Sequence, residues 1–198
     1  APVALSPDEK SIMAPMGLTH VNGDGFDGYV LGNKFGTLKY LSSSKGTIVD
    51  YLTDSAGKTL TNKSVMSNLC TVSSDNDAKY DDFISSGEGM LYLYRFSGRL
   101  NADGTPMYNE ALPLLMQEGD LYPGSLSVPT VADWDSDGVN DLLAGNSEGR
   151  LLYYKNYGTD AKPAFGKPQY LESNGREICF RAGYYEVQGP MEAGWGYL

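Results

Sequence analysis

The stretch DWDSDGVNDLLAGNSEGRLLYY, residues 133–154, decides the fold. It opens with aspartates at 133, 135 and 137, turns at Gly138, and returns to Asp141 before an apolar run. A glycine at 149 then separates that run from Leu151–Tyr154, an alternating aromatic segment. Apolar strand, acidic loop, apolar strand, glycine turn and aromatic strand follow one another with period-two patterning. The segment before the loop, SLSVPTVA (125–132), reads as the opening strand.

The same unit recurs twice. HVNGDGFDGYVLGNKFGTLKYL occupies 20–41 and SSDNDAKYDDFISSGEGMLYLY occupies 73–94. Aligned without gaps, Asp24, Asp77 and Asp137 correspond, and Gly36, Gly89 and Gly149 each follow 12 positions later. The units stand 53 and then 60 residues apart, a spacing that suits four short strands each. SNLCTV (67–72) and IMAPMGLT (12–19) supply the other opening strands. No helical periodicity persists, and Gly and Pro together fill 34 positions. The expected fold is all-β: blades of four antiparallel strands in one domain over 1–198, with residues 155–198 starting a further, partial blade. Asp54–Lys58 and Asn101–Thr105 carry Gly-centred turn chemistry, so their aspartates are expected to form turns.

Alternate acidic residues in a tight loop aim their oxygens at one centre, and Gly138 permits the turn. Asp133, Asp135, Asp137, Asp141 and the Val139 carbonyl make a hard oxygen set of the kind calcium takes. Four carboxylates this close repel one another without a cation. An EF-hand needs a glutamate at the twelfth position and helical flanks. Here Ala144, Ile84 and Leu31 hold that position and the flanks are strands, so that alternative fails. The second unit keeps Asp75, Asp77 and Asp81 but opens with Ser73 and has Ala78 in place of the glycine. The first keeps Asn22 and Asp24, with His20 at the opening and Gly28 at the closing position. The ligand count therefore falls from the third unit to the second to the first.

Residues 133–156 resemble the FG-GAP/VCBS repeat, the blade motif of integrin-alpha-type propellers and of many bacterial surface proteins. The other two units resemble it less closely. The resemblance implies a larger, seven-bladed ring and calcium in each acidic loop. Its ligand positions fall on Asp133, Asp135, Asp137, the Val139 carbonyl and Asp141; on Asp75, Asp77, the Lys79 carbonyl and Asp81; and on Asn22, Asp24 and the Phe26 carbonyl. The C-terminal region, with GYYEVQGPMEAGWGYL at 183–198, is similar to bacterial secreted proteins of glycan-utilisation systems. Some polysaccharide lyases use the same propeller, so a catalytic relative is one alternative.

The net charge of −10 argues against nucleic acid as a partner, because phosphate contacts need clustered Lys and Arg. No apolar run is long enough for a membrane span. The chain opens Ala-Pro-Val, as a processed or trimmed chain would. Cys70 and Cys179 lack metal-ligand spacing and read as buried free thiols or as a disulfide. His20, the sole histidine, is open to a hydrogen-bonding, metal-ligating or catalytic role. Arg176, Arg181, Tyr184 and Tyr185 cluster near the C-terminus, and Trp134 and Trp195 are either packing residues or sugar platforms. No nucleophile elbow, phosphate loop or zinc-protease motif occurs. The expected function is a calcium-binding module of an extracellular, cell-surface or periplasmic protein that holds a glycan or protein ligand. The alternative is part of a polysaccharide lyase or glycoside hydrolase. Three units do not close a ring, so a second chain or an oligomer is expected to complete it.

Overall fold

The computed structural model describes residues 15–46, 48–73, 79–180, 184–185 and 189–190. Among the described residues there are strands and turns and no helix. The first sheet is a meander of β1 (Pro15–Gly23), β2 (Phe26–Asn33), β3 (Leu38–Ser42) and β4 (Ile48–Tyr51). The second joins β5 (Asn68–Ser73), β6 (Asp81–Ser86) and β7 (Tyr92–Tyr94). A hairpin of β8 (Phe96–Leu100) and β9 (Pro106–Tyr108) then intervenes before β10 (Leu112–Pro113) closes that sheet. After a small hairpin, β11 (Leu115–Met116) with β12 (Gly119–Asp120), comes the third sheet. It orders β13 (Val128–Ala132), β14 (Asp141–Gly145), β15 (Leu151–Tyr154) and β16 (Gln169–Tyr170). Two short hairpins follow, β17 (Glu172–Ser173) with β18 (Arg176–Glu177) and β19 (Tyr184–Tyr185) with β20 (Gly189–Pro190). All three large sheets are four-stranded and antiparallel. The stretch from 155, read from sequence as the start of a further unit, thus first supplies the outer strand of the third sheet.

Two apolar layers hold the sheets together. Val30, Leu38 and Tyr40 of the first sheet meet Phe83 and Tyr94 of the second. Ile84, Leu91 and Leu93 of the second meet Leu142, Leu152 and Tyr154 of the third. The middle strand β6 therefore faces two neighbours, and all six of its residues are buried. A strand covered on both faces loses its apolar–polar alternation, whereas β3, covered on one, keeps it. The Phe83 and Tyr94 rings stack at 4.8 Å, and Tyr108 meets Phe83 edge-on at 4.9 Å.

The three glycines aligned by spacing occupy equivalent turns between the second and third strands, with φ of 83° at Gly36, 119° at Gly89 and 76° at Gly149. In the first and third sheets an asparagine builds the turn. Asn33 Oδ1 accepts from Phe35 N and Thr37 N at 2.9 Å, and Asn146 Oδ1 accepts from Glu148 N at 3.0 Å and Arg150 N at 3.2 Å. The second turn is one residue shorter, which corrects the gapless alignment. Phe83 pairs with Tyr94 as Leu142 pairs with Tyr154, so the residue equivalent to Asp141 is Asp82 rather than Asp81.

The outer hairpins form as their sequences require. Asp54 Oδ1 caps Ala56 N and Lys58 N, and Asp103 Oδ1 caps Thr105 N. Cys70 and Cys179 are free thiols, each half-buried, and burial pushes the Cys70 thiol upward.

Candidate metal centre

The loop between β13 and β14 folds on its own aspartates. Asp133 takes Asp137 N on Oδ1 and Gly138 N on Oδ2, both at 3.0 Å. Asp137 Oδ1 accepts from Val139 N at 3.0 Å. Ser136 and Gly138 adopt positive φ, 62° and 90°, so the chain reverses sharply here. These turns leave Asp133, Asp135 and Asp137 exposed, with one oxygen of each within 4.8 Å of the others. Among the described residues this is the one group of three acidic, His or Cys side chains placed to share an ion.

The far limb of the loop is pinned. Asn140 gives its N–H and its side-chain amide to the two oxygens of Asp160, at 2.7 and 2.9 Å. Asn156 Nδ2 donates to Asn140 O at 3.0 Å. Asp141 is fully buried: Tyr153 Oη donates to one oxygen at 2.9 Å and Asn156 N to the other at 2.7 Å. Burial, then this bond to Asp141, pushes the Tyr153 hydroxyl above its ordinary pKa. Asp141 thus anchors the loop from below, outside the exposed group of three.

Lys155, the residue after β15, reaches into the loop mouth. Its Nζ donates to Asp137 Oδ2 at 2.6 Å and also to Asp135 Oδ2. The ammonium holds the Asp137 carboxyl below its usual range, with Val139 N–H adding to the effect. Asp135 and Asp137 in turn raise Lys155 above the ordinary lysine value. One ammonium neutralises one of three carboxylates, and the remaining charge is the kind a divalent cation satisfies. Val139, whose carbonyl was expected as a ligand, lies in the loop beside Asp137.

The first acidic segment is built differently. Pairing of β1 with β2 runs to Gly23 opposite Phe26, leaving a two-residue turn at Asp24 and Gly25. A ladder that tight splays alternate side chains to opposite faces. Asn22 and Asp24 are exposed, while Phe26 is buried in the core. Asn22 N donates to Asp81 Oδ2 at 2.9 Å, and Asp24 N donates to Lys79 O at 3.2 Å. One backbone-to-carboxylate bond and one backbone–backbone bond thereby join the first and second segments. Gly28 stands where the third unit has Asp141; a Cβ there would meet Tyr40 Oη at 2.6 Å and Leu41 O at 2.3 Å, so tyrosine fills the space of the acid. His20 Nε2 lies 2.7 Å from Asp27 Oδ1, and its ring meets Tyr29 edge-on. The hydrogen bond from His20 lowers the Asp27 carboxyl.

Asp75 and Asp77 of the second loop lie outside the described residues, as do Arg181 and Trp195 and the side chains of Tyr184 and Tyr185. Asp81, expected from spacing to close that loop, is buried and accepts from Asn22 N. Asp82 plays the part of Asp141: its Oδ1 accepts from Phe96 N at 2.7 Å, and Arg95 donates to Oδ2 at 3.2 Å. Arg95 thus occupies the position of Lys155, and it gives one guanidinium nitrogen to Asp82 and the other to Ala161 O at 2.6 Å.

Trp134, inside the third loop, is 54% exposed, and Tyr157, whose ring lies 5.8 Å from Lys155 Nζ, is 60% exposed. Sequence reading missed Lys155, Asp160 and Asp82. Lys155 had one signal, its place directly after the aromatic strand of the repeat. The chain matches no family model, no curated protein and no solved structure.

Proposed function

We propose that this chain is a calcium-binding module built of β-propeller blades, each four-stranded sheet being one blade. The observation that carries the reading is the convergence of Asp133, Asp135 and Asp137 at an exposed loop mouth. Hard oxygen donors from carboxylates suit calcium, and the residual negative charge beyond what Lys155 neutralises favours a divalent ion. The Val139 carbonyl within the loop is the candidate to add a further oxygen, while both oxygens of Asp141 are buried and already accept hydrogen bonds. The second loop, with Asp75, Asp77 and the Lys79 carbonyl, is proposed as a further site, Asp81 of the expected set being buried and engaged by Asn22 N. The hairpin at Asn22, Asp24 and Phe26 has the smallest donor set of the three.

The proposed setting is extracellular, cell-surface or periplasmic, where calcium is abundant enough to fill sites of moderate affinity. The proposed ligand is a glycan. Trp134 and Tyr157 offer exposed rings beside the loop, and such rings present an apolar face with a polar tip. Calcium fixes the loop and so fixes Trp134 within it. A panel of neutral and acidic polysaccharides, titrated calorimetrically with calcium and with EDTA, tests this reading. Calcium-dependent heat with at least one polysaccharide is expected, and silence across the panel would shift the reading to a protein ligand. Unsaturated product absorbing in the ultraviolet would instead favour the lyase alternative.

A further inference from the structure

The three sheets repeat one stacking rule, and among the described residues no further sheet packs on the outer face at either end. In each sheet one face looks toward the next sheet along the chain and the other toward the previous one. Val30 and Tyr40 look forward from the first sheet onto Phe83 and Tyr94, which look back from the second. Ile84 and Leu93 look forward from the second onto Leu142 and Tyr154, which look back from the third. A backbone bond marks each junction at the same place: Ser67 N donates to Asn33 O at 3.1 Å, and Ser127 N donates to Gly87 O at 3.3 Å. Both serines are fully buried, and the Phe83–Tyr94 and Leu142–Tyr154 pairs fix Gly87 as the equivalent of Asn146.

The same register identifies the two end faces. On the first sheet the backward-looking positions are Leu18, Tyr29, Leu31 and Leu41, with Leu18 56% exposed. On the third sheet the forward-looking positions are Thr130, Leu143, Leu151 and Tyr153. The first set is the equivalent of surfaces that are buried in the second and third sheets, and the second set of surfaces buried in the first and second. Among the described residues, each end of the stack therefore carries one half of a junction that the chain makes twice internally, with Leu18 exposed on one end and Tyr153 already buried on the other.

We infer that copies of this chain associate head to tail, the forward face of the third sheet in one copy packing on the backward face of the first sheet in the next. Such a contact is heterologous, so it closes a ring of copies or runs on as a filament. Burial of exposed Leu18 and of the half-buried Tyr29, Leu31, Leu41, Leu143 and Leu151 drives it. The inference rests on the reading of the sheets as repeating blades and not on the cation.

Sedimentation velocity on the full chain across a wide concentration range tests it, with EDTA present so that the outcome is independent of calcium. The expected result is a mass above one chain, reduced to one chain by Leu18→Asp and equally by Thr130→Arg. Thr130 is exposed but its side chain also meets Cys70 of the second sheet, so unchanged melting curves are required of both variants before their masses are compared. Mixing the two variants restores a two-chain species, because one keeps a sound forward face and the other a sound backward face. A single-chain mass for the unaltered protein at every concentration overturns the inference. So does an assembly that Leu18→Asp breaks and Thr130→Arg does not, since that pattern means like faces pair. Neither result touches the cation proposal.

Discussion

Lys155 Nζ lies 2.6 Å from Asp137 Oδ2, so the residue that follows the third strand of the sheet closes the mouth of the acidic loop between its first two. A divalent cation held by this group would therefore compete with the ammonium for the same oxygens. Lys155→Met is expected to lower the melting temperature in EDTA, because three carboxylates are left without a counter-charge. In saturating calcium the loss should be recovered, and apparent calcium affinity should rise several-fold. Paired melting curves and calorimetry check both. Equal affinity in the variant and the unaltered chain would show that the lysine does not compete.

The same pair gives a pH signature. The Asp137 carboxyl is lowered by Lys155 and then by Val139 N–H, so its contribution is present above the ordinary carboxylate range and is lost as pH falls through the depressed folded value. Lys155 is raised by Asp135 and Asp137, so its contribution is present below the ordinary lysine value and is lost as pH rises beyond it. The stability difference between the unaltered chain and Asp137→Asn, measured in EDTA, should be flat through neutrality and shrink below about pH 4. The groups are exposed, so added salt should reduce the difference.

Asp141 is expected to act as a structural anchor whether or not calcium is present. Asp141→Ala leaves Tyr153 Oη and Asn156 N without their buried acceptor, at a cost of about 3 kcal/mol. Asp82→Ala removes the equivalent acceptor of Phe96 N and is expected to cost a similar amount. Denaturant melts in EDTA measure both. A cost under about 0.5 kcal/mol, the level of ordinary surface changes, would contradict the assignment.

The asparagine turn is a second local test. Asn146→Ala deletes the acceptor of Glu148 N and Arg150 N and the donor to Pro123 O, and about 2 kcal/mol should be lost. At the equivalent position in the second sheet, Gly87→Asn should not be tolerated, because a Cβ at Gly87 would lie 1.9 Å from Val65 O.

Much of this architecture was legible in the sequence, for physical reasons specific to each element. Leu142–Tyr154 announced two strands because apolar runs flank a glycine that must take positive φ, and Asp133, Asp135 and Asp137 announced a loop because like charges at alternate positions need a shared counter-charge. The register of the second unit was not legible. Its turn is one residue shorter, and two adjacent aspartates, 81 and 82, offer the spacing argument no way to choose. Nor was the tight hairpin at Asp24 and Gly25, where strand pairing overrides the loop seen in the third unit. Lys155 escaped because a single lysine after a strand looks like any solvated charge until the fold brings it beside a loop 18 residues earlier.

Calorimetric titration of the chain with calcium, alongside melting curves with and without EDTA, tests the central claim most directly. A ligand that binds only the folded state stabilises it by about 2.7 kcal/mol at a hundredfold excess over Kd. Saturable binding is expected, with a melting temperature that rises in calcium and falls in EDTA, and Asp137→Ala should remove the part of that response that belongs to the third loop. No heat of binding and a melting curve indifferent to both calcium and EDTA would contradict the account.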